Sequence, residues 1–327
     1  MITNLKTTFA GLKLSSPIIA SASPLTATAE QCVELEKAGV AAIVVKSIFE
    51  ESIAHNSQEL ADVLSHGEET DYLDGYIGEQ MVSEWRSTLK SIKDACTVPI
   101  IASMACRKID TWERYARVAD EVGVDALELN LMNVARNTRH TPYGDTEHHL
   151  VHTVEVVRKI TSLPIIVKLA SNMTNPAALV DRLKACGADG VVLFNRMVTP
   201  DINLKTLSYG RGEVLGSSTD LYESLRWIGL ASDRVPKLSY AASGGVSNGE
   251  AMIKALLVGA SAVEVCSVLY KKGIEAIPEM LQTLEEWMKA NNYQQVSDFR
   301  GVMNARKTGG GAAFERTQFF KHYGKYE

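Results

Sequence analysis

The sequence has no C-x-x-C pair, no block of like charge, and no run approaching the roughly 18 apolar residues of a membrane-spanning helix. Each absence excludes something. The five cysteines (Cys32, Cys96, Cys106, Cys186 and Cys266) are scattered and odd in number, which fits reduced thiols in a cytoplasm rather than a disulfide framework. They also leave no zinc or iron-sulfur set to expect within the chain, so no metal site is assigned. A net charge of −5, with no basic block, makes nucleic acid and anionic membrane surfaces poor partners. The opening M-I-T-N-L-K-T-T-F does not read as a signal peptide. With 327 residues, 46% hydrophobic and 22% charged, the chain is long enough to bury one barrel-sized core and reads as a single soluble domain.

What is present is a repeat. Four times a proline opens an apolar run, and 22 to 24 residues later a glycine ends a helix-like segment before a second apolar run: Pro17/Gly39, Pro99/Gly123, Pro164/Gly187 and Pro236/Gly259. The proline runs (P-I-I-A-S, P-I-I-A-S-M, P-I-I-V-K-L, P-K-L-S-Y-A) and the glycine runs (A-I-V-V-K, A-L-E-L-N, G-V-V-L-F-N, A-V-E-V-C) are short and β-suited. Eight near-continuously apolar strands, each followed by a helical segment, predict a parallel sheet closed into a (β/α)8 barrel of the α/β class. Chemistry on that fold sits at the carboxyl ends of the strands, so the residues ending the runs are the ones to read.

Residues 1–16 centre on Ala10-Gly11 and predict a hairpin plugging the amino-terminal end; 17–303 form the barrel and 304–327 an aromatic tail. Capping boxes are expected at T-A-E-Q from Thr28 and S-N-G-E from Ser247. Two connections are long, Ile48 to about Met81 after the second strand and Arg196 to about Ser218 after the sixth. At the carboxyl face, such loops are expected to serve as lids or substrate walls.

The seventh and eighth strands end at Ser243-Gly244-Gly245 and Cys266-Ser267, where barrels commonly hold a phosphate against unhindered amides. Lys46 and Lys168 end apolar strands with no acidic neighbour in their own strand, which suits a ligand that gains negative charge, such as a reduced flavin. Snorkelling to the rim is the plainer alternative for either lysine. Asn130 and Asn195 end the fourth and sixth strands and offer the donor-acceptor complement of an amide-edged pyrimidine, or else cap the backbone locally.

These residues, with T-T-F-A-G-L-K-L near the start, K-S at Lys46-Ser47, E-L-N-L through Leu131, V-K-L at Lys168, S-G-G-V at Ser243 and Y-Q-Q-V-S-D-F-R-G from Tyr293, resemble the class 1 dihydroorotate dehydrogenases over nearly the whole chain. The resemblance implies an FMN barrel that oxidises a dihydropyrimidine. Ser21 and Ala22 would line the flavin, Lys46 and Ser47 would reach flavin and substrate, and Lys168 would meet the flavin N1/O2 edge. Gly244, Gly245, Cys266 and Ser267, beside Ser243, would hold its phosphate. Asn130 would lie beside flavin and substrate, and Asn195 would face the substrate. It further implies a homodimer and, in some members, a separate electron-transfer subunit.

The chain departs from the family where the base should be. N-L-S-C-P-N in the fourth-strand motif is here N-L-M-N-V-A from Asn130, and neither methionine nor asparagine serves as a base. The family's N-S-M-G-L-P-N signature is not recognisable after Ile48, and Arg196 replaces the serine after the sixth-strand asparagine. These features resemble the divergent dihydroorotate dehydrogenase-like branch. Substitute bases are sought in the loop after the fourth strand, with Thr138 and His140 foremost and Tyr143, Asp145, His148 and His149 beside them, while Cys106 reads as a packing residue. The alternatives are a flavin-holding relay subunit of a larger redox complex and a flavin-free phosphosugar enzyme.

Overall fold

A computed structural model describes residues 3–52, 70–132, 144–198, 200–309 and 314, with side chains from 78 onward in the second segment. The strands are β1 (Thr7–Phe9), β2 (Leu12–Leu14), β3 (Ile18–Ala20), β4 (Ala42–Val44), β5 (Ile48–Phe49), β6 (Ile100–Ala105), β7 (Ala126–Leu131), β8 (Ile165–Ala170), β9 (Gly190–Asn195), β10 (Pro200–Asn203), β11 (Ser208–Arg211), β12 (Ser239–Ser243) and β13 (Ala262–Val265). The described helices are α1 (Ala29–Ala38), α2 (Thr70–Ala95), α3 (Ile109–Val122), α4 (Asp145–Ile160), α5 (Pro176–Ala185), α6 (Leu221–Arg234), α7 (Gly249–Val258), α8 (Ser267–Lys272), α9 (Ala276–Ala290) and α10 (Val296–Phe299).

The parallel strands run in the order β4-β3-β13-β12-β9-β8-β7-β6, and pairing of β4 with β6 closes the ring into the expected (β/α)8 barrel. β5 continues the second barrel strand after an interruption and pairs with β6 through Ile48 and Met104. The proline/glycine repeat has a simple backbone cause. Pro17, Pro99 and Pro164 each stand just before a strand and accept from the neighbouring one, at 2.8 Å from Val263 N, 3.0 Å from Ile43 N and 2.9 Å from Leu127 N. A residue with no N–H to donate fits such a position without loss. The paired glycines end helices with positive φ, from 78° at Gly123 to 120° at Gly259, turning the chain back toward the next strand.

The amino-terminal hairpin is present, with Thr7 opposite Leu14 and a tight turn at Ala10-Gly11. Phe9, Ala10 and Leu14 pack against inward-facing Ile19, Val44, Ile101, Ile166 and Val192, closing one end of the barrel. Gly190 of β9 makes room for them, since a Cβ there would lie 3.1 Å from Ala10 Cβ and 3.3 Å from the Phe9 ring. From the tail, Phe314 rests against Gly229 of α6.

Four sequence expectations are revised. The connection after the second strand does not run loop-like to Met81, because α2 begins at Thr70. The excursion after the sixth strand contains a hairpin of β10 and β11, solvent-exposed throughout. At the seventh-strand turn the cap is Asn248, whose Oδ1 accepts from Ala251 N at 2.9 Å, and not Ser247. Thr28 does cap α1, but the Gln31 carboxamide oxygen is buried without a donor, so that box is only half made.

Because Phe9 is fully buried against the barrel floor, Phe9→Ala should cost about 3–5 kcal/mol of stability, read as a lowered denaturant midpoint with an unchanged fold by circular dichroism. A loss under about 1 kcal/mol would show that the hairpin does not seal the core.

Candidate active site

Side chains on a strand return to the same face every second residue. The floor positions Ile19, Ile101, Ala126, Ile166, Ala241 and Ala262 therefore place Ser21, Ser103, Glu128, Lys168, Ser243 and Glu264 in the next inward layer toward the carboxyl ends. A dry apolar floor is thus overlain by a polar tier. All six of these polar residues are buried, Ser103 and Glu128 completely.

Charges so deeply buried are tolerable only when paired. Lys168 Nζ lies 2.6 Å from Glu264 Oε2 and 3.8 Å from Glu128 Oε1, and it donates to Ser21 Oγ at 2.8 Å. Ser21 Oγ in turn donates to Glu264 Oε2 at 2.9 Å. Glu128 and Glu264 stand on opposite sides of the ring, so their side chains approach one another across the barrel axis. Burial lifts Glu128 well above the usual carboxylate range, and the neighbouring Glu264 adds to that rise. Burial also opposes ionisation of Glu264, but the Lys168 ammonium and the hydrogen bonds from Glu128, Lys168 and Ser21 hold it below its ordinary value. For Lys168, desolvation pulls down while the two carboxyl groups more than compensate, keeping the ammonium charged. The lysine that appeared unneutralised along its own strand is therefore neutralised from strands β7 and β13.

Above this tier opens a cavity of about 420 Å³ bordered by Ser21, Ala22, Lys168, Asn195, Glu264 and Cys266. Its outer side is made by the turn Ser243-Gly244-Gly245 and by Ser267, Lys271 and Lys272 of α8. Gly244 and Gly245 take φ of 83° and 71°, and a Cβ on Gly245 would lie 2.3 Å from Leu221 N. The backbone at this turn can therefore come close to both α6 and the cavity only as glycine. The remaining wall comes from the excursion after β9. Ser267 Oγ accepts from Gly216 N at 2.9 Å, and Lys271 Nζ donates to Gly216 O at 2.8 Å. Arg196 donates to Glu213 O and to Val214 O, and pairs with Asp220 at 3.3 Å. Arg196 thus fastens a wall of the cavity, which is what this chain does with the position after Asn195.

The sequence-derived site residues Ser21, Ala22, Lys168, Asn195, Ser243, Gly244, Gly245, Cys266 and Ser267 are brought to one cavity. Asn195 Nδ2 donates to Asn130 Oδ1 at 2.8 Å, so the two asparagines form one unit. Lys46 and Ser47 occupy the interruption between β4 and β5; Lys46 is exposed, and Ser47 Oγ lies 2.8 Å from Ser103 Oγ. Thr138, His140 and Tyr143 lie outside the described residues. Asp145, His148 and His149 begin α4, and His148 lines a different cavity, with Asn175 and Arg182 of the next connection and helix. Burial, reinforced by Glu50 and Glu51, pushes the Cys106 thiol far up, so it stays protonated.

Sequence reasoning missed Glu128, Glu264, Ser103, Lys271 and Lys272. The signal for the first two was available: an acid at the centre of A-L-E-L-N and of A-V-E-V-C, each two residues after an inward-facing floor alanine, just as Lys168 stands two after Ile166. Among the described residues no group of three or more histidines, cysteines or acids is arranged to hold a metal, and no helix is long and apolar enough to cross a membrane.

Comparison with known proteins agrees with this architecture. Residues 4–288 match the family model described as dihydroorotate dehydrogenase. The catalytic subunit of dihydroorotate dehydrogenase B (NAD(+)) from Bacillus pumilus is 29% identical over 213 residues, spanning 62% of this chain and 66% of that protein. The corresponding subunit from Thermoplasma volcanium is 26% identical over 314 residues, spanning 92% of this chain and 99% of that protein. The NAD-dependent dihydropyrimidine dehydrogenase subunit PreA of Escherichia coli is 24% identical over 322 residues, spanning 92% of this chain and 77% of that protein. A match over residues 4–288, on a barrel whose strand ends converge on a single polar cavity, has one consequence: the chain belongs to the dihydroorotate dehydrogenase family of oxidoreductases.

Proposed function

We infer that the chain is an FMN-dependent oxidoreductase taking hydride from a CH–CH substrate of the dihydropyrimidine type. The observation that carries this reading is the buried Lys168 ammonium at one edge of a cavity whose other edge is the Gly244-Gly245 turn with Lys271 and Lys272. The donor set fits the group. Glycine amides and two lysines suit a phosphate, and a buried ammonium suits a ring edge that becomes negative on reduction. When bound, the flavin supplies the two-electron acceptor.

The chain's own groups do the rest. Gly244, Gly245 and Ser267 hold the phosphate end, Ser21 and Ala22 border the ring, and Lys168 faces the edge that gains charge. Asn130 fixes Asn195, whose remaining amide capacity is directed to a planar, amide-edged substrate. Lys46, exposed beside Ser47, is assigned in this reading to the substrate side of the flavin. The working compartment in this reading is the cytoplasm, and the active form a homodimer.

A second reading keeps the flavin and removes the substrate: a relay subunit that passes electrons within a larger redox complex. It is favoured by Asn133, which stands in place of the proton-accepting residue three positions after Asn130.

The purified protein should be yellow, with a visible flavin band; a colourless protein that takes up no added FMN contradicts both readings. Anaerobic mixing with dihydroorotate or dihydrouracil separates them, since bleaching within the turnover time identifies the dehydrogenase and an unbleached flavin the relay. Gly245→Ala should lower the flavin-to-protein ratio of the purified protein, because the added Cβ collides with the backbone at Leu221 and φ is 71°. Lys46→Ala should reduce substrate oxidation by about 10²–10³ while the flavin content stays near one per chain. Equal loss of both would remove Lys46 from the substrate side.

A further inference from the structure

The carboxyl pair on the barrel axis has one lysine for two acids. Glu264 Oε2 is fully engaged as an anion, with Lys168 at 2.6 Å and the Ser21 hydroxyl at 2.9 Å. Glu128 has Lys168 only at 3.8 Å; its Oε1 accepts from Ser103 at 3.2 Å, and its buried Oε2 receives no donor. Two carboxylates here would leave one negative charge in the core without a counter-ion. A single proton on Glu128 removes that charge and turns the orphaned acceptor into a donor.

The pair is also connected to the barrel mouth. Ser103 Oγ lies 2.8 Å from Ser47 Oγ, and Ser47 is partly exposed in the interruption of the second barrel strand. Hydroxyls donate and accept at once, so Ser47, Ser103 and Glu128 form a hydrogen-bonded proton path, and across the barrel axis Glu128 faces Glu264, which is bonded to the lysine that borders the cavity. The groups facing the pair are Lys168 from β8, Ser103 from β6, Ser21 from the end of β3 and the Cys266 thiol from the end of β13.

We propose that Glu128 and Glu264 share one proton at rest and take up a second through Ser47 and Ser103 when hydride delivery makes the cavity negative, releasing Lys168 from its ion pair to face the new charge. The proposal rests on the flavin reading given above. One substrate carbon loses hydride, with its electron pair, to the flavin, and the adjacent carbon loses a proton as its C–H pair becomes the C=C bond. That proton is accepted at Ser47 Oγ while the Ser47 proton passes to Ser103, the Ser103 proton to Glu128 Oε1, and the proton already on Glu128 to Glu264. The cavity gains one negative charge and the carboxyl pair one positive, so the net charge of the site is unchanged. Glu128 and Glu264 are thus positioning and proton-holding groups, and the path gives this chain an acceptor where Asn133 offers none.

Infrared difference spectroscopy on the flavin-loaded full chain tests this. The oxidised protein at neutral pH should show one protonated buried carboxyl band, shifted by ¹³C-glutamate labelling and absent in Glu128→Gln. The band should be absent from Glu264→Gln also, because Glu128 then ionises to balance Lys168. Reduction should add a second protonated carboxyl band in the native chain. Ser103→Ala should keep the resting band but slow the appearance of the second, after rapid photoreduction, by about a hundredfold. Lack of a protonated glutamate in the labelled native chain, or a reduced spectrum without a second band, overturns the proposal, and an unchanged rate in Ser103→Ala overturns the route. The native, labelled measurements decide even where a glutamine variant does not fold. A protein that binds no flavin defeats the functional reading instead, while the resting band still reports on the shared proton.

Discussion

The ion pair between Lys168 and Glu264 at 2.6 Å is the interaction on which the rest of the site depends. Neither charge could be buried alone at the barrel axis, and removing one partner of such a pair typically costs about 3–5 kcal/mol. The pair ties β8 to β13 across the interior and draws Ser21 in from β3, so one cluster fixes the ends of three strands. It also sets the electrostatic state of the cavity. A free ammonium there would present a standing positive charge, whereas a paired one presents a neutral wall.

The polar tier is possible because the apolar floor beneath it is complete. Phe9 and Leu14 close the amino-terminal end, and the floor side chains exclude water from below, so the network meets solvent only from the carboxyl face. The same two-residue period produces both layers, the floor on one step and the charged tier on the next. The wall above is held differently, by Arg196, Ser267 and Lys271 gripping the backbone of residues 213–216. Side chains on rigid barrel elements thereby order a long excursion that has little packing of its own.

Much of this was legible in the sequence. The proline/glycine repeat predicts the eight strands because its cause is local: a proline with nothing to donate at a strand entrance, and a glycine free to take positive φ at a helix end. Reading the strand ends then finds Lys168, Asn130, Asn195 and the Gly244-Gly245 turn, since period and fold direction fix which residues face the mouth. The helical start of α2 at Thr70 was not legible, because the stretch before Met81 carries no cap or period strong enough to separate it from the long connection. Nor was the choice of Asn248 over Ser247 as cap, where two adjacent residues have the same chemistry and backbone geometry alone decides.

By itself the sequence determined the barrel, its amino-terminal hairpin and part of the set of residues at its mouth, because strand period, proline placement and glycine placement act over a few residues at a time. Only the tertiary structure decided what those residues do to one another. Glu128 and Glu264 lie 40 and 96 positions from Lys168, and no local rule relates an acid in one strand to a lysine in another. Closure of the ring brings the two carboxyl groups to 3.8 and 2.6 Å from Lys168, and burial there binds the three groups into one unit.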